Sequence, residues 1–393
     1  MSLIGTWLQR VAIGWLAWEL TESGTWLGII ALSDLFPTVV LSPLAGTLAD
    51  RRERIGLVRT VQLLSAVQAG TLAVLTATGV ITIWSLTALS VAMGVLNAFA
   101  QPARLALISA LVRADSLASA VAINSIVFNS ARFIGPMIAG YTIAHGGIAM
   151  AFAANALSFV VFAAALSRLP ADHPAAGTAR TAARGTMLAE ALAGYTYVAR
   201  HPGLGPLFLV YASTAIAGRG FVELLPGFAD DVFARGPIGL AWMTSSMGAG
   251  AIVAGVTLAA RGGAAGITRM TLFNTLTLAV AVMVFASVDR FALALAALAV
   301  AGFALVATGA GLQTLIQNAV DASMRGRVLG LYGTIFRGGT AVSALIAGAI
   351  SEFTGLRWPV AVGAALCVAI WAWAMTRAAA IAAAVEAPPR DGA

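Results

Sequence analysis

The chain has 393 residues, sixty per cent of them hydrophobic and only ten per cent charged, with a formal net charge of +7. An ordinary soluble domain carries about 25% charged residues, so this composition excludes a chain that solvates its own surface and points to lipid as its solvent. The positive balance does not read as a nucleic-acid surface, because all 23 basic residues are arginines that punctuate apolar runs instead of gathering into a patch.

Uncharged runs long enough to cross about 30 Å of hydrocarbon at 1.5 Å per residue predict spans at 2–20, 24–48, 56–77, 81–101, 117–143 and 148–167. Arg10 interrupts the first run and no small-x-small cleavage pattern follows it, so it reads as a retained span, not a secretory signal. A polar gap comes next, with Arg168, Pro170, His173, Pro174, Arg180, Arg184 and Arg200. Within it Met187, Leu188, Ala191, Leu192, Tyr195 and Val198 recur at helical spacing, which predicts an amphipathic helix on the membrane surface. Six further spans are expected at 203–228, 238–260, 270–288, 291–318, 327–350 and 358–376. The predicted architecture is an all-α integral membrane protein with a six-helix bundle over 1–167, a cytoplasmic linker over 168–201, a second bundle over 202–377 and a cytoplasmic tail over 378–393.

Arginine placement orients these spans. With the N-terminus inside, the cytoplasmic segments hold sixteen arginines, while the outer loops hold three, Arg235, Arg290 and Arg357. That asymmetry satisfies the positive-inside rule and an even number of spans puts both termini in the cytoplasm. The two halves also repeat at an offset of 208: Gly94 pairs with Gly302, Leu107 with Leu315, Phe128 with Phe336, and Ile138, Ala139, Gly140 with Ile346, Ala347, Gly348. Parallel repeats of this kind build one large class of transporters.

Ionisable residues within spans each cost about 2.5–3.5 kcal/mol at mid-bilayer, so Arg10, Asp34, Arg132, Arg219, Glu223 and Arg337 are expected to face a bundle interior or a watery cavity. Two readings stay open for each: contact with substrate or a coupling ion, and charge pairing that fixes helix contacts or snorkelling. Arg219 and Glu223, four apart, are expected to share a helix face and partly neutralise one another. Asp34 and Glu223 are the candidate proton-coupling carboxylates, since desolvation and a neighbouring arginine tune a carboxylate in opposite directions. Glu19 reads as an interface residue. Trp7, Arg10, Gly14 and Trp18 form one stripe of the first span, Gln313 and Gln317 one stripe of the tenth, and Asn97, Asn124 and Asn129 add amides. Such groups suit a bulky, partly polar organic molecule, or else an aromatic belt and interhelical hydrogen bonding.

Hydrolytic, redox and ATP-driven chemistry find no support, and no cofactor or metal is expected. There is no HExxH, CxxC or P-loop pattern. The lone Cys367 lies in an apolar run, and His145, His173 and His201 are not clustered at ligand spacing.

After the second span comes GTLADRRER, residues 46–54. There Gly46 permits close helix approach, Asp50 can face a helix N-terminus, and Arg51 and Arg54 can hold the turn at anionic headgroups. This order resembles the signature after the second helix of the major facilitator superfamily. ELTESGTWLGI at 19–29, QPARLALISALV at 101–112, NSIVFNSARFIGPMIAG at 124–140 and RGRVLGLYGTIFRGGTAVSALIAG at 325–348 are similar to the enterobactin-exporter and transmembrane-secretion-effector branch, itself similar to macrolide efflux proteins. The resemblance covers almost the whole chain. It implies twelve helices in two pseudo-repeated bundles, a cavity lined by spans one, four, seven and ten, and a cytoplasmic latch at Asp50. It also implies a monomer in a bacterial cytoplasmic membrane that exports a small organic molecule, siderophore-like or drug-like, by alternating access in exchange for protons. An importer or uniporter of the same fold, or a non-transporting sensor or scaffold, stands as the alternative. GPMIAG at 135–140 resembles the Gly-Pro motif of antiporters, and equally reads as small-residue packing around a proline. Two features depart from the pattern. The turn after the eighth span, RGGAAGITR, has no Asp. The chain also begins within the first span, so either a short cytoplasmic lead precedes it or the start is misassigned.

Overall fold

A computed structural model describes residues 2–51, 54–112, 116–168, 187–216, 218–261 and 266–386. Every regular element in it is helical. In chain order these are α1 (Ser2–Thr21), α2 (Gly24–Arg51), α3 (Arg54–Ala77), α4 (Ile83–Leu111), α5 (Leu117–Leu166), α6 (Met187–Arg200) and α7 (Leu204–Ile216). A 3₁₀ turn (Gly220–Leu224), the three-residue α8 (Leu225–Gly227) and a π turn (Phe228–Val232) follow. Then come α9 (Gly236–Arg261), α10 (Ile267–Ser287), α11 (Phe291–Ala319), α12 (Ala322–Thr354), α13 (Arg357–Met375) and α14 (Ala378–Val385).

Ten stretches of the described residues are long and apolar enough to cross a membrane. The run α5 has 50 residues and at 1.5 Å per residue would reach about 75 Å, more than twice the hydrocarbon thickness. It is two crossings joined at Gly147, whose φ of 77° breaks the helix, a left-handed conformation that glycine adopts without a Cβ penalty. Dividing α5 there and adding α1, which carries Gln9, Arg10 and Glu19, gives the twelve helices of the fold. The amphipathic segment expected before the seventh span is present as α6, Met187–Arg200. The expectation that Arg219 and Glu223 share a helix face needs correction: α7 ends at Ile216, Arg219 stands just before the 3₁₀ turn and Glu223 lies within it, so they do not share an α-helical face. Glycines at 218 and 220 flank Arg219, and their backbone entropy disfavours an unbroken helix there.

The chain divides into two compact units, one of Met1–Ala183 with Pro226–Ser245, the other of Arg184–Leu225 with Ser246–Ala393. In the first, α1 packs along α5, α2 along α4, and α3 against both α4 and α5. Two devices set these contacts. Glycines remove the side chain where backbones meet: a Cβ on Gly94 would strike the carbonyls of Ser33 and Asp34, and one on Gly135 would strike Trp7. Buried amides then bridge the helices. The Gln9 side chain donates to Gln68 (3.0 Å), Asn155 donates to Gln9 (2.7 Å), and Gln68 donates to the Leu89 carbonyl (3.0 Å). In the second unit α10 packs on α11 and α13, and α12 on α6 and α7. One apolar core there gathers Leu207, Phe208, Leu312, Ile316, Val328 and Ile381.

The 208-residue repeat is physical as well as textual. Gly302 meets the Met247 carbonyl of α9, as Gly94 meets α2. Thr38 Oγ1 donates to the Gly94 carbonyl (3.0 Å) and Ser246 Oγ, 208 residues on, donates to the Leu295 carbonyl (2.6 Å).

Candidate functional site

Each unit carries its own cluster of embedded polar groups. In the first, Arg10 Nη1 of α1 lies 3.4 Å from Asp34 Oδ2 of α2, and Asn97 Nδ2 of α4 donates to Asp34 Oδ1 at 3.3 Å. The guanidiniums of Arg10 and Arg132 stand 5.9 and 5.5 Å from the Trp7 ring centroid, within cation–π reach. Four helix segments therefore converge on one carboxylate, two arginines and one indole. The local sequence explains the convergence, because the Gly94 and Thr38 contacts lock the backbone around Asp34 to α4, and Gly135 seats α1 on α5 beside Arg132. The Arg10 and Asp34 side chains retain 36% and 22% exposure, so this pair is bonded yet reachable.

In the second unit Arg219 sits 4.0 Å from the Phe336 ring centroid. Tyr211 and Tyr332 stack at 4.6 Å, and Tyr332 stacks on Phe336 at 6.4 Å. Arg337, half-buried, follows on α12, and Glu223 is half-buried on the 3₁₀ turn. The cluster is cationic and aromatic, with three stacked rings that carry no signal in the sequence, where tyrosine at a helical register reads as core.

The remaining expected residues are dispersed. Trp18 is buried and its Nε1 donates to Asp230 Oδ2 at 3.0 Å, within the first unit. Gly14 leaves ordinary contact space toward Pro226. Asn124 is half-buried on α5, while Gln313 and Gln317 are exposed on α11. Gly46, Asp50 and Arg51 fall on the last turns of α2 and Arg54 opens α3, but their side chains, and that of Asn129, lie outside the described residues. Gly135 and Gly140 of the GPMIAG stretch both serve close packing, the latter against Pro237 and Ala241. A separate groove of about 690 Å³ is lined by Trp15, Glu19, Thr76, Gly147 and Pro237 among others, and Glu19 accepts a hydrogen bond from Trp15 Nε1 within it. None of the expected cavity residues lines that groove. Among the described residues no group of His, Cys, Asp and Glu could hold a metal ion.

Outside the spans, two titratable groups engage helix starts. His201 Nδ1 accepts from the amides of Gly203 and Leu204, both at 3.2 Å, where α7 begins. Burial pushes His201 below its usual value, against the pull of the Asp321 carboxylate. Glu386 accepts from the amides of Gly266 (3.1 Å) and Thr268 (2.8 Å) at the start of α10. Burial works against its charge, but the Thr268 and Gly266 hydrogen bonds and Arg261 outweigh it and hold the carboxyl below its usual range.

Helices long and apolar enough to cross a membrane many times, with arginines and a carboxylate among them, are those of a polytopic membrane protein, and its family makes it a membrane transporter, not an enzyme. The chain belongs to the transmembrane secretion effector family of the major facilitator superfamily, whose model matches residues 1–389. Among curated relatives, it is 27% identical over 241 residues to the staphyloferrin A transporter of Staphylococcus aureus, covering 59% of this chain and 58% of that one. It is 28% identical over 260 residues to the enterobactin exporter EntS of Shigella flexneri, covering 63% and 57%. These matches span little more than half of either relative. The multidrug efflux pump Tap of Mycolicibacterium fortuitum is matched more fully, at 26% identity over 90% of this chain and 87% of that one. Among solved structures, a bacterial homologue of the human lysosomal transporter Spinster superposes with a TM-score of 0.75 at 14% identity, covering 98% and 97% of the two chains. The xylose transporter XylE from E. coli superposes with a TM-score of 0.65 at 14% identity, covering 94% of each. Those likenesses carry the fold.

Proposed function

We propose that the chain exports a small organic molecule across a bacterial cytoplasmic membrane by alternating access, in exchange for protons, with both termini in the cytoplasm. The observation that carries this reading is the Asp34 carboxylate, held by Arg10 and Asn97 inside the spans and still partly exposed. Protonating Asp34 removes the charge that holds Arg10, so proton binding and the freedom of a cation in the same cluster are linked. Glu223 is the second coupling candidate.

The substrate class follows from charge and rings. Each unit sets arginine beside aromatic rings, Arg10 and Arg132 near Trp7 in the first and Arg219 over Phe336 in the second, and groups of this kind suit an anionic compound with flat or aromatic parts. The names of the relatives, two siderophore transporters and a multidrug pump, agree with such cargo. Membrane orientation rests on the arginine asymmetry, and the bacterial setting on the relatives.

The test is proton release from liposomes loaded with a pH dye and reconstituted with the purified chain, against a panel of siderophores and macrolides. Flux that appears with one compound and vanishes in Asp34→Asn or Glu223→Gln supports antiport and names the coupling carboxylate. Substrate movement without proton flux would leave a uniporter, and silence across the panel with verified reconstitution would favour a non-transporting protein.

A further inference from the structure

The second cytoplasmic turn lacks the acid that the first one has. Residues Thr47, Leu48, Ala49, Asp50, Arg51 are matched in type after α9 by Thr257, Leu258, Ala259, Ala260, Arg261, with alanine where the aspartate stands. The helix that follows, α10, starts at a glycine, Gly266, with φ of 72° and no side-chain cap. Its first amides are therefore orphan donors at the positive end of a helix dipole.

The carboxylate arrives from the far end of the chain. Glu386 Oε2 accepts from the Gly266 amide and Oε1 from the Thr268 amide, a bidentate cap supplied across 118 residues. It is delivered by a built element. The helix α14 buries Ile381 and Val385 in the core of the second unit, and Gly203 leaves room for Val385, Ala384 and the Ile381 carbonyl at the start of α7. Immediately before α14, Arg377 lies over Trp373 of the last turn of α13 at 4.6 Å. The terminal segment is thus seated at both ends, with its acid aimed at α10.

We infer that α14 is a strap whose Glu386 replaces the missing turn carboxylate and acts as a positioning residue, fixing the start of α10 to the end of α14 and, through it, to the start of α7. This goes beyond the reading of the substrate and coupling groups and does not depend on it. Charge-assisted hydrogen bonds to helix-terminal amides are roughly twice as strong as neutral ones, so the contact sets how readily the first turn of α10 opens.

Hydrogen exchange followed by mass spectrometry tests this on the full chain in lipid nanodiscs. In Glu386→Gln the amides of 266–270 are expected to exchange faster by about tenfold, as loss of charge-assisted bonds entails, while peptides of α3 keep wild-type protection. Glu386→Asp, which keeps the charge on a shorter arm, recovers part of the protection, and lowering the pH through the carboxylate range erodes protection in the wild type but not in the Gln variant. A chain ending after Arg377 reproduces the Gln result. Wild-type exchange at 266–270 in Glu386→Gln, or faster exchange spread evenly over the whole chain, would overturn the strap.

Discussion

Arg10 of α1 and Asp34 of α2 meet at 3.4 Å, and the second oxygen of the same carboxylate is taken by Asn97 of α4. A pair whose side chains are 36% and 22% exposed sits between the surface limit of about 0–1 kcal/mol and the much larger loss on breaking a buried pair. A double-mutant cycle with Arg10→Gln and Asp34→Asn is therefore expected to give a coupling of about 1 kcal/mol in SDS-unfolding titrations. Zero coupling would reduce the contact to mere proximity and weaken the case that Asp34 protonation frees Arg10.

The Gln9, Gln68 and Asn155 amides are buried to within a few per cent and each is used by the next. Gln9→Met leaves Gln68 Oε1 without its donor and Asn155 Nδ2 without its acceptor. Interhelical hydrogen bonds in membranes average about 0.6 kcal/mol and reach about 1.7. The expected loss is about 1–2 kcal/mol for the two together, read as a shift in the unfolding midpoint. Adding Gln68→Met to Gln9→Met should cost less than the sum of the single changes.

Apolar runs and arginine punctuation made the helices legible, because a span needs only length and apolarity. The repeat was legible too, and its structural content at Gly94 and Gly302, and at Thr38 and Ser246, is close backbone approach. Other features left no trace a span reading could use. The amide network is neutral, so a search for charges skips it. The break around Arg219 was signalled only by its flanking glycines, and a purely hydropathic span ran straight through it. The Glu386 cap bonds to backbone amides that carry no side-chain signature, more than a hundred residues away. In the candidate site, Asp34 with Arg10 was legible as two costly charges, whereas the Tyr211, Tyr332 and Phe336 stack was not.

Glycine substitutions separate packing from propensity. A Cβ on Gly94 or Gly302 would collide with the carbonyl of Asp34 or Met247, so Gly94→Ala and Gly302→Ala must push α2 from α4 or α9 from α11. Overpacking of this kind costs about 1–3 kcal/mol, and the Gly94 change should also disturb the carboxylate of Asp34 and hence transport. Gly70, inside α3, has nothing within 4 Å of an added Cβ. Gly70→Ala is expected to be neutral or stabilising by up to about 1 kcal/mol, the ordinary helix-propensity gain. Thermal unfolding of the three variants side by side checks the contrast, and equal losses at all three positions would contradict it.

His201 gives the chain an acid-sensitive helix start. Its Nδ1 accepts the Gly203 and Leu204 amides, which requires that nitrogen to be unprotonated and the proton to sit on Nε2. Burial lowers its proton affinity in the fold, while Asp321 opposes the shift, and Tyr197, whose hydroxyl donates to Asp321, tilts against the ring at 6.1 Å. Because the folded value lies below the unfolded one, the unfolded chain binds the proton first as pH falls. The contribution is complete above the ordinary histidine value of 6.5 and is lost as pH drops from there through the lowered folded value. His201→Asn, which can still accept an amide hydrogen bond but does not titrate, should flatten that segment of the stability profile while leaving stability at pH 8 nearly unchanged. A profile between pH 8 and 5 that is identical in wild type and variant would show that the α7 start does not depend on the neutral imidazole.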